Sequence, residues 1–371
     1  MLDRENSVLW ITPEAKGGIR SYVGELLPFF GRLVRASFTL EAPESLAGMD
    51  ADLIHVQHEY GLFGSKIPGR YSFPNWFKRA KAATPGKKWV ATAHSVLGPD
   101  YRFPYAETGW QRLPRFLMNT VLALPFNPLA KLWGMQTWGK FDGVIVLHRQ
   151  QIDPVRAAGC ARVKVIPLPV AKIENLPEVA SNRRTKVILF GYFATGKGQD
   201  IAVRAWKILG DEAPPLVLAG GVRRPEDQPY YDSCVKLIRD LGLAEKIEVS
   251  GYVPNEKLAG FYSEAKLVLA PFRASTGSAS IATAFAYGVP VLASDLVLNR
   301  ELDTRVPGCL TFFKSESSED LANTIRTLLV DEPRLSALRQ AGRVYAENYS
   351  YEKIVQMHLD FYREILAERS T

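Results

Sequence analysis

Cysteine is scarce in this chain: Cys160, Cys234 and Cys309 are its only three, they stand far apart in 371 residues, and no two form a CxxC pair. That spacing offers neither a disulfide framework nor a zinc site, so a reducing, cytoplasmic setting is the simpler expectation. No run of about 18 uninterrupted apolar residues, the usual minimum for a spanning helix, occurs either. The opening MLDRENSVLWIT places acids ahead of a short apolar run, which argues against a secretory leader. Internal repeats and low-complexity tracts are absent as well. These absences exclude disulfide-stapled, membrane-spanning and repeat classes.

What is present is an ordinary globular composition, 47% apolar and 23% charged. At this length two domains are expected, because one core seldom serves so many residues. Charge is unevenly placed. Residues 1–168 hold 21 Lys and Arg against 13 Asp and Glu, a balance of +8, whereas the remainder holds 25 against 26, a balance of −1. A basic first half suits an anionic partner such as a phosphorylated lipid carrier or a membrane surface. A merely solubilising surface would carry the same charge. Nucleic acid is not expected as a partner.

Short apolar runs alternate with helical patterns throughout. Strands are predicted at SVLWIT, LIHVQH, KWVATAH, GVIVLH and VKVIPL, then at KVILFGY, LVLAGG, KIEVSGY, KLVLAPF and PVLAS. Runs apolar on both faces belong in parallel sheets covered by helices. In KGQDIAVRAWKILGD, Ile201, Ala205 and Leu209 fall at helical spacing, with Trp206 and Ile208 beside them, which predicts a core-facing helix. The alternation occurs twice, with a Pro- and charge-containing break near 167–184. The expected architecture is therefore α/β, two doubly wound domains at 1–168 and 169–371. Ligands of such sheets sit beyond the carboxyl ends of the strands, so two facing domains would make an interdomain cleft. The terminal helical pattern, about 351–371, is expected to pack back across the hinge.

Three features suggest chemistry. Gly17 and Gly18 stand just before a predicted helix, where free backbone N–H groups and the helix dipole favour a phosphate; a tight turn would use the same pair. Lys197, between Gly196 and Gly198 at the next such position, offers a point charge to a pyrophosphate, or serves as a solvated surface lysine. The stretch FRASTGSASIATAFAYGVPVLASD places Ser275, Thr276, Gly277 and Ser278 before a helix that ends at Gly288, with Pro290 beyond. Hydroxyls, free N–H groups and a positive helix end make an anion site, or simply a capped helix. Three histidines, His58, His94 and His148, close predicted strands of the first domain, where with Glu59 they could converge; His55, in mid-strand, reads as a hydrogen-bonded core residue.

Taken in order, GGIRSYV, HVQHEYGLFG, ATAHSV, KVIPLPV, GKGQDIAVRAW, GYVPNEKLAGFYSEAKLVLAPFR and AFAYGVPVLASD resemble a retaining glycosyltransferase of family 4 with the GT-B fold. The resemblance spans nearly the whole chain. It implies two Rossmann-like domains and donor phosphates at Gly17, Gly18 and Lys197. It also implies His94 beside the transferred sugar, and the nucleotide base near the backbone of Tyr252 and Val253. Glu301 matches an acid many members keep. The chain departs from the pattern in two places. Ser275 and Thr283 stand where many relatives have two glutamates, and Tyr192 stands where they often have an arginine. Some divergent members use a hydroxyl-rich turn instead, which TGSAS resembles.

The resulting expectation is transfer of a sugar from a UDP- or GDP-linked donor to a glycan or lipid-linked acceptor, in surface polysaccharide biosynthesis. No cofactor and no metal are called for, because a lysine and a helix end can replace a cation. His58, Glu59 and His148 are acceptor-side candidates. The segment 97–141 interleaves Arg102, Arg112, Arg115, Lys131 and Lys140 with Trp110, Trp133 and Trp138. That pattern suits a peripheral contact on the inner face of the plasma membrane; a helical hairpin at the domain edge would use the same residues. The alternative reading is a non-catalytic GT-B scaffold with a degenerate donor site, and a sugar-nucleotide epimerase on this fold fits less well.

Overall fold

The computed structural model describes residues 7–12, 18–37, 43–63, 72–96, 137–173, 184–223, 225–273 and 279–367. The chain divides into two compact units: Met1–Pro167 with Glu352–Thr371, and Leu168–Tyr351. The first unit runs β1 (Val8–Ile11), α1 (Gly18–Phe30), β2 (Val34–Ser37), β3 (Leu53–His58), α2 (Phe73–Ala83), β4 (Lys88–Ala93), β5 (Gly143–Val146), α3 (Ile152–Ala157) and β6 (Val163–Val165). The second runs β7 (Lys186–Phe190), α4 (Gln199–Leu209), β8 (Leu216–Ala219), α5 (Gln228–Asp240), β9 (Ile247–Val249), α6 (Asn255–Ser263) and β10 (Ala265–Ala270). It continues through α7 (Ala279–Ala286), β11 (Val291–Ser294), α8 (Val297–Arg305), β12 (Thr311–Phe313), α9 (Ser318–Leu328) and α10 (Glu332–Asn348). The last helix, α11 (Tyr351–Leu366), belongs to the first unit except at its first residue.

Each unit has one six-stranded sheet, parallel at every pairing, in the orders β2-β1-β3-β4-β5-β6 and β12-β11-β10-β7-β8-β9. All ten strands predicted from the sequence are present. The two unforeseen ones, β2 and β12, are both edge strands, which need no apolar run on two faces. In the second sheet the strand order reverses between β7 and β10, and in the first between β1 and β3. Those are the switch points at which open α/β sheets bind ligands.

Local sequence explains the helices. In α4, Ile201, Ala205, Trp206 and Leu209 are buried in one core cluster, whereas Ile208 is turned outward. The Trp206 indole donates to the Pro214 carbonyl at 2.7 Å, so a side chain worth about 1.5–3 kcal/mol of burial also satisfies its N–H. Ser317 caps α9 by accepting from Asp320 N at 3.1 Å, and Asp331 caps α10 by accepting from Arg334 N at 3.0 Å.

Helix α11 lies on the face of the first sheet that carries Trp10 and His55. The Trp10 indole donates to Tyr362 Oη at 2.9 Å, and His55 bridges Tyr362 Oη (2.5 Å) and Thr92 Oγ1 (2.8 Å). His55 is thus the satisfied core histidine its mid-strand position predicts. A Cβ at Gly143 would stand 2.6 Å from the Phe361 ring and 2.8 Å from Ile365 Cδ1. Only glycine lets α11 approach β5 so closely.

Candidate functional site

Chemistry in the second unit gathers at its switch point. Strand β7 leads through Gly191 and Tyr192 into the turn Thr195–Lys197, then Gly198 and α4. Gly198 has φ +71°, and a Cβ there would stand 2.0 Å from the Pro271 carbonyl oxygen that follows β10. The glycine therefore fixes the turn against the neighbouring strand end. This holds Lys197 with Nζ 4.2 Å from the centroid of the buried Phe272 ring. Burial lowers the lysine pKa to about 8, so the ammonium persists at neutral pH but is poorly hydrated. Among the described residues no carboxylate pairs with it.

Arg273, which the sequence reading passed over, braces this turn. Its guanidinium donates to both Asp200 oxygens (2.8 and 2.7 Å) and to the Thr195 carbonyl (2.9 Å), while its backbone N–H reaches Gly196 O at 3.0 Å. Tyr230 adds a hydrogen bond to Asp200 Oδ1 at 2.6 Å. Burial alone would raise the Asp200 carboxyl, but hydrogen bonds from Arg273 and Tyr230 outweigh it and hold the pKa below the usual range. The arginine thus neutralises Asp200, and Lys197 keeps its charge for something else. A basic residue directly after the apolar strand KLVLAPF was the signal available in the sequence.

Neighbouring strand ends carry the other donor-side candidates. Tyr252, 65% exposed, follows β9, and Val253 beside it is buried. Tyr192 is 42% exposed, with the Arg223 guanidinium 5.8 Å from its ring centroid. An arginine from the next strand end therefore lies beside Tyr192. The Thr283 hydroxyl donates to its own helix at Ala279 O, 2.8 Å away. Glu301 on α8 is nearly buried and ion-paired with Arg305 at 2.6 Å. Gly18 opens α1. Gly17, Ser275, Thr276, Gly277 and Ser278 lie outside the described residues.

In the first unit, His94 follows β4, and its Nε2 stands 2.9 Å from Gln57 Oε1 of β3. Tyr22 of α1 meets the ring edge-on, with centroids 5.4 Å apart. Burial, with the nearby His358 adding to it, lowers the His94 pKa to about 3, so the imidazole is neutral.

Two expectations need correction. His58 does not converge with His94, because strand alternation sends Val56 and His58 into one face's core and Gln57 to the other. His58 is fully buried with Tyr60, Phe63, Phe73 and Trp138, ring centroids 4.8–5.5 Å away, and desolvation lowers its pKa to about 3. Trp138, counted with the membrane-facing aromatics, is likewise a core side chain at zero exposure. His148 is buried just beyond β5, and Glu59, beside His58, is half-buried. Residues 97–136, the rest of the basic-aromatic segment, lie outside the described residues. The chain's single Asp-x-Asp string, Asp50 and Asp52, precedes β3 at the end of the sheet opposite the ligand edge, where Asp52 accepts from Ser7 N at 3.3 Å. Among the described residues no cluster of His, Cys, Asp and Glu could hold a metal ion, and no helix is long and apolar enough to cross a membrane.

Two Rossmann-like units with six parallel strands each define the architecture of GT-B glycosyltransferases. Solved structures agree on that fold. Sucrose-phosphate synthase from Thermosynechococcus elongatus aligns with a TM-score of 0.71 at 18% identity, covering 98% of this chain and 100% of that one. Anabaena HepE in complex with UDP aligns at 0.68 and 16%, covering 97% and 100%. Residues 172–345, within the second unit, match the family model described as glycosyl transferases group 1. D-inositol 3-phosphate glycosyltransferase 1 of Catenulispora acidiphila is 34% identical over 187 residues, 48% of this chain and 44% of the relative. That match thus spans less than half of the relative's length. A GDP-mannose-dependent alpha-(1-6)-phosphatidylinositol monomannoside mannosyltransferase of Mycobacterium tuberculosis is 24% identical, covering 95% of this chain and 96% of the relative.

Proposed function

We propose that the chain is a glycosyltransferase that moves a sugar from a UDP- or GDP-linked donor to a glycan or lipid-linked acceptor, in surface polysaccharide biosynthesis. The observation that carries this reading is Lys197. It is a partly buried ammonium without a carboxylate partner among the described residues, fixed at the switch point of the unit that matches the group 1 model. Such a charge is costly unless an anion completes it. In this reading Lys197 binds the donor diphosphate and stabilises its charge as it leaves. Gly17, Gly18 and the turn 275–278 add N–H and hydroxyl donors, the backbone of Tyr252 and Val253 meets the base, and Glu301 stands on the donor side. His94 lies by the transferred sugar. Retention of anomeric configuration follows the family resemblance, and no metal is required because Lys197 supplies the positive charge. The relatives' names support a nucleotide-sugar donor and an acceptor built on a lipid or a cyclic polyol.

Replacing Lys197 with alanine is expected to weaken binding of UDP or GDP by about 1.5–3 kcal/mol, the loss of a charged hydrogen bond, which is about 10- to 150-fold in Kd. Calorimetric titration measures it, and equal binding by the two proteins would remove Lys197 from the site.

Cytoplasmic placement at the inner face of the plasma membrane is part of the same proposal, resting on the +8 balance of residues 1–168. Flotation with anionic vesicles is expected to recover the protein, with recovery falling as salt rises. Identical recovery with neutral vesicles would point to a soluble acceptor instead.

A second reading, a non-catalytic scaffold, draws on the hydroxyl of Thr283 being turned onto its own helix and on Glu301 being ion-paired with Arg305. It predicts no binding of either nucleotide or of their sugars.

A further inference from the structure

Gln57 and His94 meet at the carboxyl ends of adjacent strands, on the sheet face that also carries Trp10, His55 and Thr92. Both side chains are buried. The Gln57 Oε1 lies 2.9 Å from His94 Nε2, and an amide oxygen can only accept, so the shared proton belongs to Nε2. Among the described residues, three buried groups around the pair find no hydrogen-bond partner: Gln57 Nε2, Tyr22 Oη and Thr12 Oγ1. Thr12 follows Ile11, the register partner of Val56, and so stands level with Gln57. Polar groups left unmatched inside a fold are costly, and they mark a place built for a further polar partner.

We propose that Gln57 is a positioning residue that fixes His94 as the neutral Nε2–H tautomer, leaving Nδ1 as an obligatory acceptor for a sugar or acceptor hydroxyl. The identity of that hydroxyl rests on the glycosyltransferase reading; the tautomer does not. An amide achieves this where a carboxylate would not. A carboxylate beside Nε2 would favour the imidazolium, whose two nitrogens both donate. The titratable groups facing His94 agree: Tyr22 on α1, His55 on β3 and His358 on α11, with no carboxylate shifting it. His94 therefore orients a hydroxyl and contributes no ionisation between pH 8 and pH 5.

Nitrogen NMR of the labelled full chain tests the assignment without any substrate. In the parent, His94 is expected to show a protonated Nε2 and an unprotonated Nδ1, unchanged from pH 8 to pH 5. Gln57→Glu should yield both nitrogens protonated near pH 6, and Gln57→Leu a mixture of tautomers. A protonated Nδ1 in the parent, or a Leu variant with the parent's tautomer, overturns the proposal; these two spectra decide it even if the Glu variant does not fold. With nucleotide-sugar and acceptor, Gln57→Glu should lower kcat about tenfold or more, the loss of one hydrogen bond near 1.4 kcal/mol, while nucleotide affinity stays unchanged. A kcat equal to the parent's counts against the positioning role. The expected spectra in a chain without transfer activity support the tautomer and count against the glycosyltransferase reading.

Discussion

Lowering the pH from 7 to 5 is expected to destabilise the first unit strongly while leaving the second nearly unaffected. All five histidines of the chain fall in the first unit. Four of them, His55, His58, His94 and His358, are buried with pKa values lowered by desolvation, to about 3 for His58 and His94 and about 4 for His358. A histidine whose folded pKa lies below its unfolded value of about 6.5 contributes fully above that pH and loses its contribution as pH falls towards the folded pKa. By pH 5 each of His58, His94 and His358 costs about 2 kcal/mol, His55 acts in the same direction, and together they take a large share of the stability of an ordinary domain. Calorimetry at pH 7, 6 and 5 should resolve a first-unit transition that moves to lower temperature. Two transitions falling in parallel would contradict the burial of these rings.

Gly198→Ala carries the second large effect. The added Cβ meets the Pro271 carbonyl at 2.0 Å while the backbone stays at φ +71°, so strain and collision act together. A loss of about 3 kcal/mol or more is expected, with nucleotide binding abolished because the turn that holds Lys197 must move. Gly242→Ala, just past α5, is the control. Its φ is +69°, close to that of Gly198, but among the described residues nothing lies within 4 Å of the added atom, so only about 1–2 kcal/mol should be lost, with binding intact. Urea unfolding measures both. Equal losses would mean that the approach of the two strand ends does not shape the turn.

The sheets were largely legible because central parallel strands must be apolar on both faces, as in KVILF and LVLA. The edge strands β2 and β12 were not, since VRAS and TFF are too short and mixed to stand out as apolar runs, whereas the other two edge strands, β6 and β9, were. At the second unit's switch point, the lysine between two glycines was readable from strand-turn-helix order. Arg273 was not, because its partner Asp200 lies 73 residues away and only the fold brings them together. The histidines divided in the same way. Their positions at strand ends could be read, but His58 and His94 face opposite sides of the sheet, and that depends on the last strand residue's phase. Trp138 failed for a related reason: an aromatic in a basic segment looks interfacial until its packing against His58 and Phe141 is known.

Proton uptake on donor binding tests the central claim most directly. Free Lys197 titrates at about 8, and a diphosphate beside it would restore the ordinary lysine range. A nucleotide-sugar is the suitable ligand, because its diphosphate has no proton that titrates near neutrality. Calorimetry in buffers of different ionisation enthalpy should show uptake of about half a proton or more per UDP- or GDP-sugar at pH 8.0–8.5 and close to none at pH 6.5. Lys197→Ala should abolish the uptake. Binding by the parent with no proton linkage at pH 8.5, or no binding at all, would contradict the account.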